Sequence, residues 1–340
     1  MAIGNTVPYM GYESAMGVGE ETTFGTLKTA TAFLEFNSES LKMTREEIKR
    51  ESINTTRDPR KRLIGNESVS GSVEFDLNVA SDAIVYIVKQ ALGGTVSSAT
   101  ITTGSYTHTL YPGNMESNAA TTTSYVKGLS FSTRRGSSAV WYYQGMRVNT
   151  LTIKGEVNSP VIVTAEMVGK TATLGSALPT VSLSDVLPVN FTGVQIQVGG
   201  SLGALTTEYF KSFELSIANN IDSDQRTLGT RTVNTLPPAR REVKLKLAQV
   251  FDTTTAYSRF NDNTATSISI YCNSEQTCGS VGGSTTYSMK IDLPTCYFNS
   301  NQPEVGGPGV INHELDVSAM YNASIGSSLA VTIINATASY

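Results

Sequence analysis

A chain of 340 residues is better divided into two domains than one, on the usual scale of about 150 residues per domain, and each half can bury its own core without a covalent staple. Charged residues make up 16%, below the usual quarter, and Ser, Thr, Asn and Gly fill the gap, as in proteins built of many short strands and turns. No apolar run approaches the roughly 18 residues of a membrane helix, three cysteines do not make a disulfide framework, and a net charge of −4 argues against a strong grip on nucleic acid.

Residues 1–30 are rich in Gly, Thr and Tyr with little periodicity, and read as an extended N-terminal arm. They open with neither a basic cluster nor an apolar stretch, so no cleaved secretion signal is expected. A first β-rich domain is expected over 31–170. It starts with an alternating strand, Glu39-Ser40-Leu41-Lys42-Met43, passes through an arginine-rich excursion and returns as Val73-Glu74-Phe75-Asp76-Leu77. A helix is expected over 81–92, where Ser81 can cap, Ile84, Val88 and Ala91 share a face, and Gly93 stops the helix. Further strands are expected at 126–132, 140–143, 147–154 and 161–167, with a turn at 155–160. The nearly uncharged segment 171–188, with two prolines, reads as a linker. The second domain, 189–340, offers strands at 193–198, 213–217, 242–250, 267–272, 287–293, 313–321 and 329–334, and a shorter helix around 254–260.

The order strand, Arg-bearing excursion, strand, helix thus occurs twice, which points to a tandem duplication and to a protein that works through surfaces and symmetry. Charge is segregated to match. Residues 42–62 hold eight basic and four acidic groups, 218–241 hold four and two, and the remainder carries 13 basic against 23 acidic. Two positive excursions on an acidic body favour contacts between copies of the chain, with a pair of solvated loops as the plainer alternative.

Motifs that carry chemistry do not assemble. His313-Glu314 is not followed by a second histidine at the spacing of a zinc protease, since Val317 stands there. Asp222-Ser223-Asp224 opens like a calcium loop, but Arg226 follows and no glutamate closes it. Gly17-Val18-Gly19 is followed by Glu20 and Glu21, which would repel a phosphate. Two scattered histidines do not supply a triad. Cys272 and Cys296 read as small buried hydrophobes, and with Cys278 they lack the fourth ligand and the tight spacing of a zinc site. Trp141, in Val140-Trp141-Tyr142-Tyr143, reads as core or interface, with carbohydrate stacking as the alternative. No enzyme activity, cofactor or metal is expected.

Several segments resemble a known family. Phe213-Glu214-Leu215-Ser216-Ile217-Ala218-Asn219-Asn220, Leu228-Gly229-Thr230-Arg231 and Arg241-Glu242-Val243-Lys244-Leu245 resemble the strand–loop–strand of tail tube proteins from long-tailed bacteriophages. So do Ile291-Asp292-Leu293-Pro294, Gly309-Val310-Ile311-Asn312, Ala319-Met320-Tyr321-Asn322 and the opening stretch 17–25. The resemblance covers most of the chain and is densest after residue 205. It implies a mainly β fold of two tandem tail-tube-like β-sandwich domains, each with one short flanking helix, shared with type VI secretion tube proteins. It also implies domains that join edge to edge into rings, three chains to a ring, stacked into the conduit for genome ejection. The implied partners are further copies of the chain, tape measure and tail terminator proteins, and duplex DNA in non-specific transit, with no membrane; the implied location is the virion tail, after assembly in the host cytoplasm. By this resemblance the excursions reach the adjacent ring, which assigns stacking to Arg45, Arg50, Arg57, Arg60, Lys61, Arg62, Asp222, Asp224, Arg226 and Arg231. It assigns the lumen to Glu39, Glu74, Asp76 and Glu214. A tandem β-sandwich adhesin or receptor-binding protein is the alternative.

Overall fold

The computed structural model describes residues 8–53, 55–58, 61–113, 128–137, 139–175, 177–200, 209–279, 285–299, 302–303, 305 and 307–340. The chain is mainly β, with antiparallel pairing throughout. The first half contains β1 (Ala15–Glu20), β2 (Ala32–Leu34), β3 (Ser38–Glu39), β4 (Lys42–Ile48), β5 (Leu63–Asp76), α1 (Asp82–Leu92), β6 (Val96–Thr102), β7 (Ser105–Leu110), β8 (Leu129–Arg135), β9 (Ala139–Glu156), β10 (Ile162–Gly169) and β11 (Thr171–Gly175). The second contains β12 (Val194–Val198), β13 (Phe210–Ala218), β14 (Glu242–Val250), α2 (Thr255–Asn261), β15 (Thr266–Thr277), β16 (Thr286–Phe298), β17 (Asn312–Ala319) and β18 (Ala330–Asn335). Among the described residues no helix is long and apolar enough to cross a membrane.

The pairing network of the first half recurs in the second. β4–β5, β5–β10, β10–β9, β9–β8, β8–β1 and β9–β11 are matched by β13–β14, β14–β17, β17–β16, β16–β15, β15–β12 and β16–β18. Even an irregularity repeats. Met146 opposite Leu129, then Tyr143 opposite Phe131 across a register shift, recurs as Cys296 opposite Thr266, then Leu293 opposite Ile268 across the same shift. The β5–β10 junction, where the Leu77 N–H donates to the Val161 carbonyl (2.8 Å), recurs as Phe251 N–H to the Ile311 carbonyl (3.0 Å). A bulge is a designed feature of a sheet, so its repetition fixes the correspondence residue by residue. β9 and β16 step by 150 residues and β5 and β14 by 174.

The two halves also share a sheet. The C-terminal part of β9 pairs on one side with β10 and on the other with β13, from Ser212 opposite Glu156 to Ala218 opposite Thr150. A single antiparallel order, β4–β5–β10–β9–β13–β14–β17–β16, therefore runs through the chain. Each strand alternates. Val73, Phe75, Val163, Ala165, Leu151, Ile153, Leu215, Ile217, Leu245, Leu247, Leu315 and Val317 are buried in one continuous core, which also takes the inward faces of β1, β8 and β15. The His108 ring bonds Asn335 Oδ1 (3.0 Å), and β7 pairs with β18, so the halves meet there too.

α1 forms as its sequence predicts, with one difference. Gly93 takes the left-handed conformation (φ 68°), and its N–H returns to the Lys89 carbonyl. Ser81 holds the cap position, but its hydroxyl donates to the Phe33 carbonyl (3.1 Å) instead of to the helix. The helix is buried nearly all round because β9, β1 and β2 pack on it and Tyr340 bonds Asp82 (2.6 Å). Five strands, β1, β2, β6, β7 and β11, lie where none was expected. β1, within the presumed arm, is core, with Met16 and Val18 fully buried. Its periodicity is hidden by Gly17 and Gly19, where a Cβ would lie 2.5 Å from Ala30 Cβ and 2.7 Å from the Thr29 carbonyl oxygen. The hairpin β6–β7 turns at Gly104 (φ 78°), and β11, at the start of the presumed linker, pairs with β9. The strands expected at 140–143 and 147–154 are one strand, β9, with Gly145 at φ 66° between them. The strand expected at 126–132 is described from Leu129, since residues 126–127 lie outside the described residues.

Candidate assembly surface

The outward face of the shared sheet is polar from β5 to β17. It presents Glu74, Asp76, Glu166, Glu156, Glu214, Glu242, Glu314 and Asp316 against Lys154, Lys211, Lys244 and Lys246, with Ser and Thr between them. Eight carboxylates against four ammonium groups leave this face acidic. Lys154, Lys244 and Lys246 sit among carboxylates: Glu214 is flanked by Lys154 and Lys246 on the neighbouring strands, and Lys244 bonds Glu242 at 2.9 Å, which holds the Glu242 carboxyl below its ordinary range. Glu74, Asp76 and Glu214, expected on a lumen, all stand on this face, and Asp76 accepts from Asn37 Nδ2 (2.8 Å). Glu39 is placed differently. Its carboxylate is engaged by Arg135 at 2.6 and 2.9 Å and is only 10% exposed. Arg135 also donates to the Leu41 carbonyl (2.6 Å) and lies over the Trp141 ring at 5.0 Å. Tyr143 Oη donates to that same carbonyl (2.7 Å), so Trp141 and Tyr143 belong to a polar knot closing the sandwich beside β4.

The excursions differ in how they are held. In the first, β4 and β5 run on as a two-stranded arm, with Arg45 paired to Glu67 (2.9 Å) and Arg62 to Glu47 (3.7 Å). Arg50, Arg57 and Lys61 are exposed, as is Ile53; Arg60 lies outside the described residues. Exposed pairs of this kind contribute about 0–1 kcal/mol each, so the arm is positioned by its strands more than by its charges.

The second excursion is folded down onto the first half. Val233 and Leu236 are buried, the Leu236 carbonyl accepts from Arg147 (2.7 Å), and the Arg231 carbonyl accepts from the Glu67 N–H (2.9 Å). Arg226 is 13% exposed and bonds Asp224, the Glu67 carbonyl (3.1 Å) and Ser68 Oγ (3.0 Å). Asp222, Asp224 and Arg231 are exposed at its outer side, and Gln225 holds the Asp222 carboxyl below its ordinary range. At its base Asn219 donates to the Ala91 (2.8 Å) and Val148 (3.0 Å) carbonyls, and Arg241 to those of Leu92 (2.7 Å) and Gly113 (2.8 Å). Sequence reasoning assigned no role to Asn149, Asn219, Arg147 or Arg241. The signal it passed over was the pair of apolar residues, Val233 and Leu236, in an otherwise polar excursion.

Among the described residues the sheet has two open ends. Just before β4, the Ser40 N–H bonds toward β5 (Ser72 carbonyl, 2.9 Å), so alternation turns the backbone groups of Met43, Arg45 and Glu47 away from β5. On β16, pairing with β15 ends at Cys296, and beyond it Tyr297 and Phe298 pair, among the described residues, only with β17. Such edges are a hazard in a lone chain and a resource in an assembly. No group of three or more His, Cys, Asp or Glu side chains that could hold a metal ion occurs among the described residues. A search of curated proteins returns no match. A family model described as "Phage tail tube protein" matches residues 11–319, nearly the whole chain. The chain belongs to the phage tail tube protein family.

Proposed function

We infer that this structural protein of the phage tail closes into rings through its two open sheet edges, and that the rings stack into the conduit through which the genome leaves a long-tailed virion. The observation that carries this reading is the continuous sheet with an acidic outward face and an open edge at each end. The chain comprises two tube units, the first from β1 to β11 and the second from β12 to β18, so that β1 and β11 belong to the first unit and not to an arm or a linker. Each unit supplies four strands to the shared sheet, so three chains give a barrel of about two dozen strands. At a spacing of roughly 4.8 Å and a tilt near 40°, its backbone diameter is about 45–50 Å. Once side chains fill the rim, a duplex about 20 Å wide still passes. A heterologous contact closes only at the right rotation per unit, and the in-chain junction between β9 and β13 already sets that rotation once. The chain performs no catalysis. Its partners are its own copies, the tape measure that the tube encloses and the terminator that ends it, with assembly in the host cytoplasm. Cryo-EM of the purified protein tests this: rings or tubes of three chains per layer, with both halves lining the lumen, are expected. Dispersed monomers at concentrations where tubes should grow would refute it, and a ring of six chains would refute the stoichiometry alone.

A further inference from the structure

The second unit begins by docking on the first, and that contact is fully visible. At its edge Asn149 is the extra residue of a bulge in β9, opposite the register shift between Glu166 and Met167. Its carbonyl accepts from the Asn219 N–H (2.8 Å), and its side-chain Oδ1 accepts from the Ile221 N–H (2.8 Å). One asparagine thus receives two N–H groups of the segment that leaves β13, on either side of Asn220, which takes the left-handed conformation (φ 50°).

The repeat places the same device at both open ends. The 150-residue step from β9 to β16 takes Asn149 to Asn299, again an asparagine, whose N–H bonds the Asp316 carbonyl (2.8 Å). Its side-chain Nδ2 donates to Ser318 Oγ (2.7 Å), which leaves Oδ1 directed away from that bond. The 174-residue step takes Asn219 and Ile221 back to Arg45 and Glu47, whose backbone groups face outward from β4. The excursions between these anchors have equal length, 45–67 and 219–241, and Thr56-Arg57 and Thr230-Arg231 fall at equivalent places within them.

Resting on the self-assembly inferred above, we propose that Asn299 of one copy receives the β4 edge of a second copy, with the Arg45 N–H on its carbonyl and the Glu47 N–H on its Oδ1. The chain-to-chain junction then repeats the in-chain junction in register, and the occupant of the β16 edge is a second copy of this chain. Two things on the molecule favour that occupant. The two open ends are complementary halves of a contact the chain already makes, and the arm carrying Arg45 and Glu47 exposes Ile48, Leu63 and Ile64 beside them. In the second excursion, burial against the neighbouring unit covers the apolar residues, Val233 and Leu236.

The test is a chemical cross-link. Arg45→Cys and Asn299→Cys are combined in one chain, at two exposed positions, and treated with a short bis-maleimide after assembly. The native thiols are a quiet background: all three are buried, and burial pushes the pKa of Cys272 and Cys296 up to about 12. Covalent dimers and trimers are expected on a denaturing gel from the double variant, and none beyond the wild-type background from either single variant. Rings that form without cross-linking overturn the register and leave the tube reading standing; wild-type protein that never forms rings overturns both. As a second measurement, Asn299→Ala should raise the concentration needed for ring formation by about fivefold, the worth of one hydrogen bond per junction, whereas Ser318→Ala, which removes only the bond within the chain, should leave that concentration unchanged. Undiminished assembly of the Asn299→Ala chain overturns the proposal.

Discussion

Gln90 sits in α1 with its side chain fully enclosed, and neither its Nε2 nor its Oε1 has a hydrogen-bond partner among the described residues. An enclosed amide forfeits its bonds to water, which costs more than the bonds it would make in a protein return. Methionine has nearly the same length, a similar preference for helix and no polar atom that demands a partner. Gln90→Met is therefore expected to stabilise the isolated chain by about 1–2 kcal/mol, read as a higher denaturant midpoint at unchanged slope. A lower midpoint would mean that the amide is bonded in solution. Glu21 shows the opposite treatment of a buried polar group. Burial raises its carboxyl above the ordinary range, but it accepts from the Gly145 N–H (2.7 Å), Ser130 Oγ (2.8 Å) and the Gly25 N–H (2.6 Å), tying the segment after β1 to β8 and β9.

At the scale of elements, the strands legible in the sequence were those with one buried face and a clean alternation, such as β5, β10, β14 and β17. α1 was legible from Ser81 and Gly93. β1 was not, because glycines occupy the positions facing Ala30 and Thr29, and a strand without side chains on one face shows no period. β6 is exposed along its length, so its Ser and Thr residues carry no hydrophobic signal. Alternation repeats every two residues, so it leaves the match between the halves free to slide in steps of two. Matching apolar patterns alone aligns Val73 with Val243; the repeated bulge and the Leu77 and Phe251 bonds align it with Leu247. The excursions were legible by charge, but Arg226 and Ser68 lie 158 residues apart, a contact no local pattern reveals. Which excursion projects and which folds down leads to a prediction for ring stacking. Arg57, Lys61 and Arg62 are exposed on the projecting arm, outside the core-facing positions, so changing them opens no cavity. Replacing them and Arg60 with Glu is expected to give soluble protein with an unaltered circular dichroism spectrum that forms rings and no tubes. Tubes of normal length would show that the arm's charge plays no part in stacking.

For the whole molecule, the sign of the charge on the shared sheet decides whether a tube can also be a conduit. Duplex DNA moving through a stack of rings meets the same surface in every layer, so even about 1 kcal/mol of attraction per ring would accumulate over the many rings it occupies. A wall of Lys and Arg would release counterions from each phosphate it touched and hold the duplex in place. On the proposed reading, in which the outward face of this sheet lines the lumen, it does the reverse, with Glu74, Asp76 and Glu214 among eight carboxylates and Lys154, Lys244 and Lys246 set beside Glu and Asp neighbours. Mild repulsion would then keep water and counterions between phosphate and protein, and since at roughly physiological salt it is screened beyond about 8 Å, it would centre the duplex without barring entry. Assembled tubes are therefore expected to bind duplex DNA weakly at most at physiological salt. Tubes carrying Glu74→Lys, Asp76→Lys and Glu214→Lys should retain it, in a manner that falls steeply as salt is raised. A filter-retention titration over a range of salt concentrations reads both. Salt-resistant retention by wild-type tubes would place a different, basic surface on the lumen, and equal release by the triple variant would show that these three positions do not face the DNA.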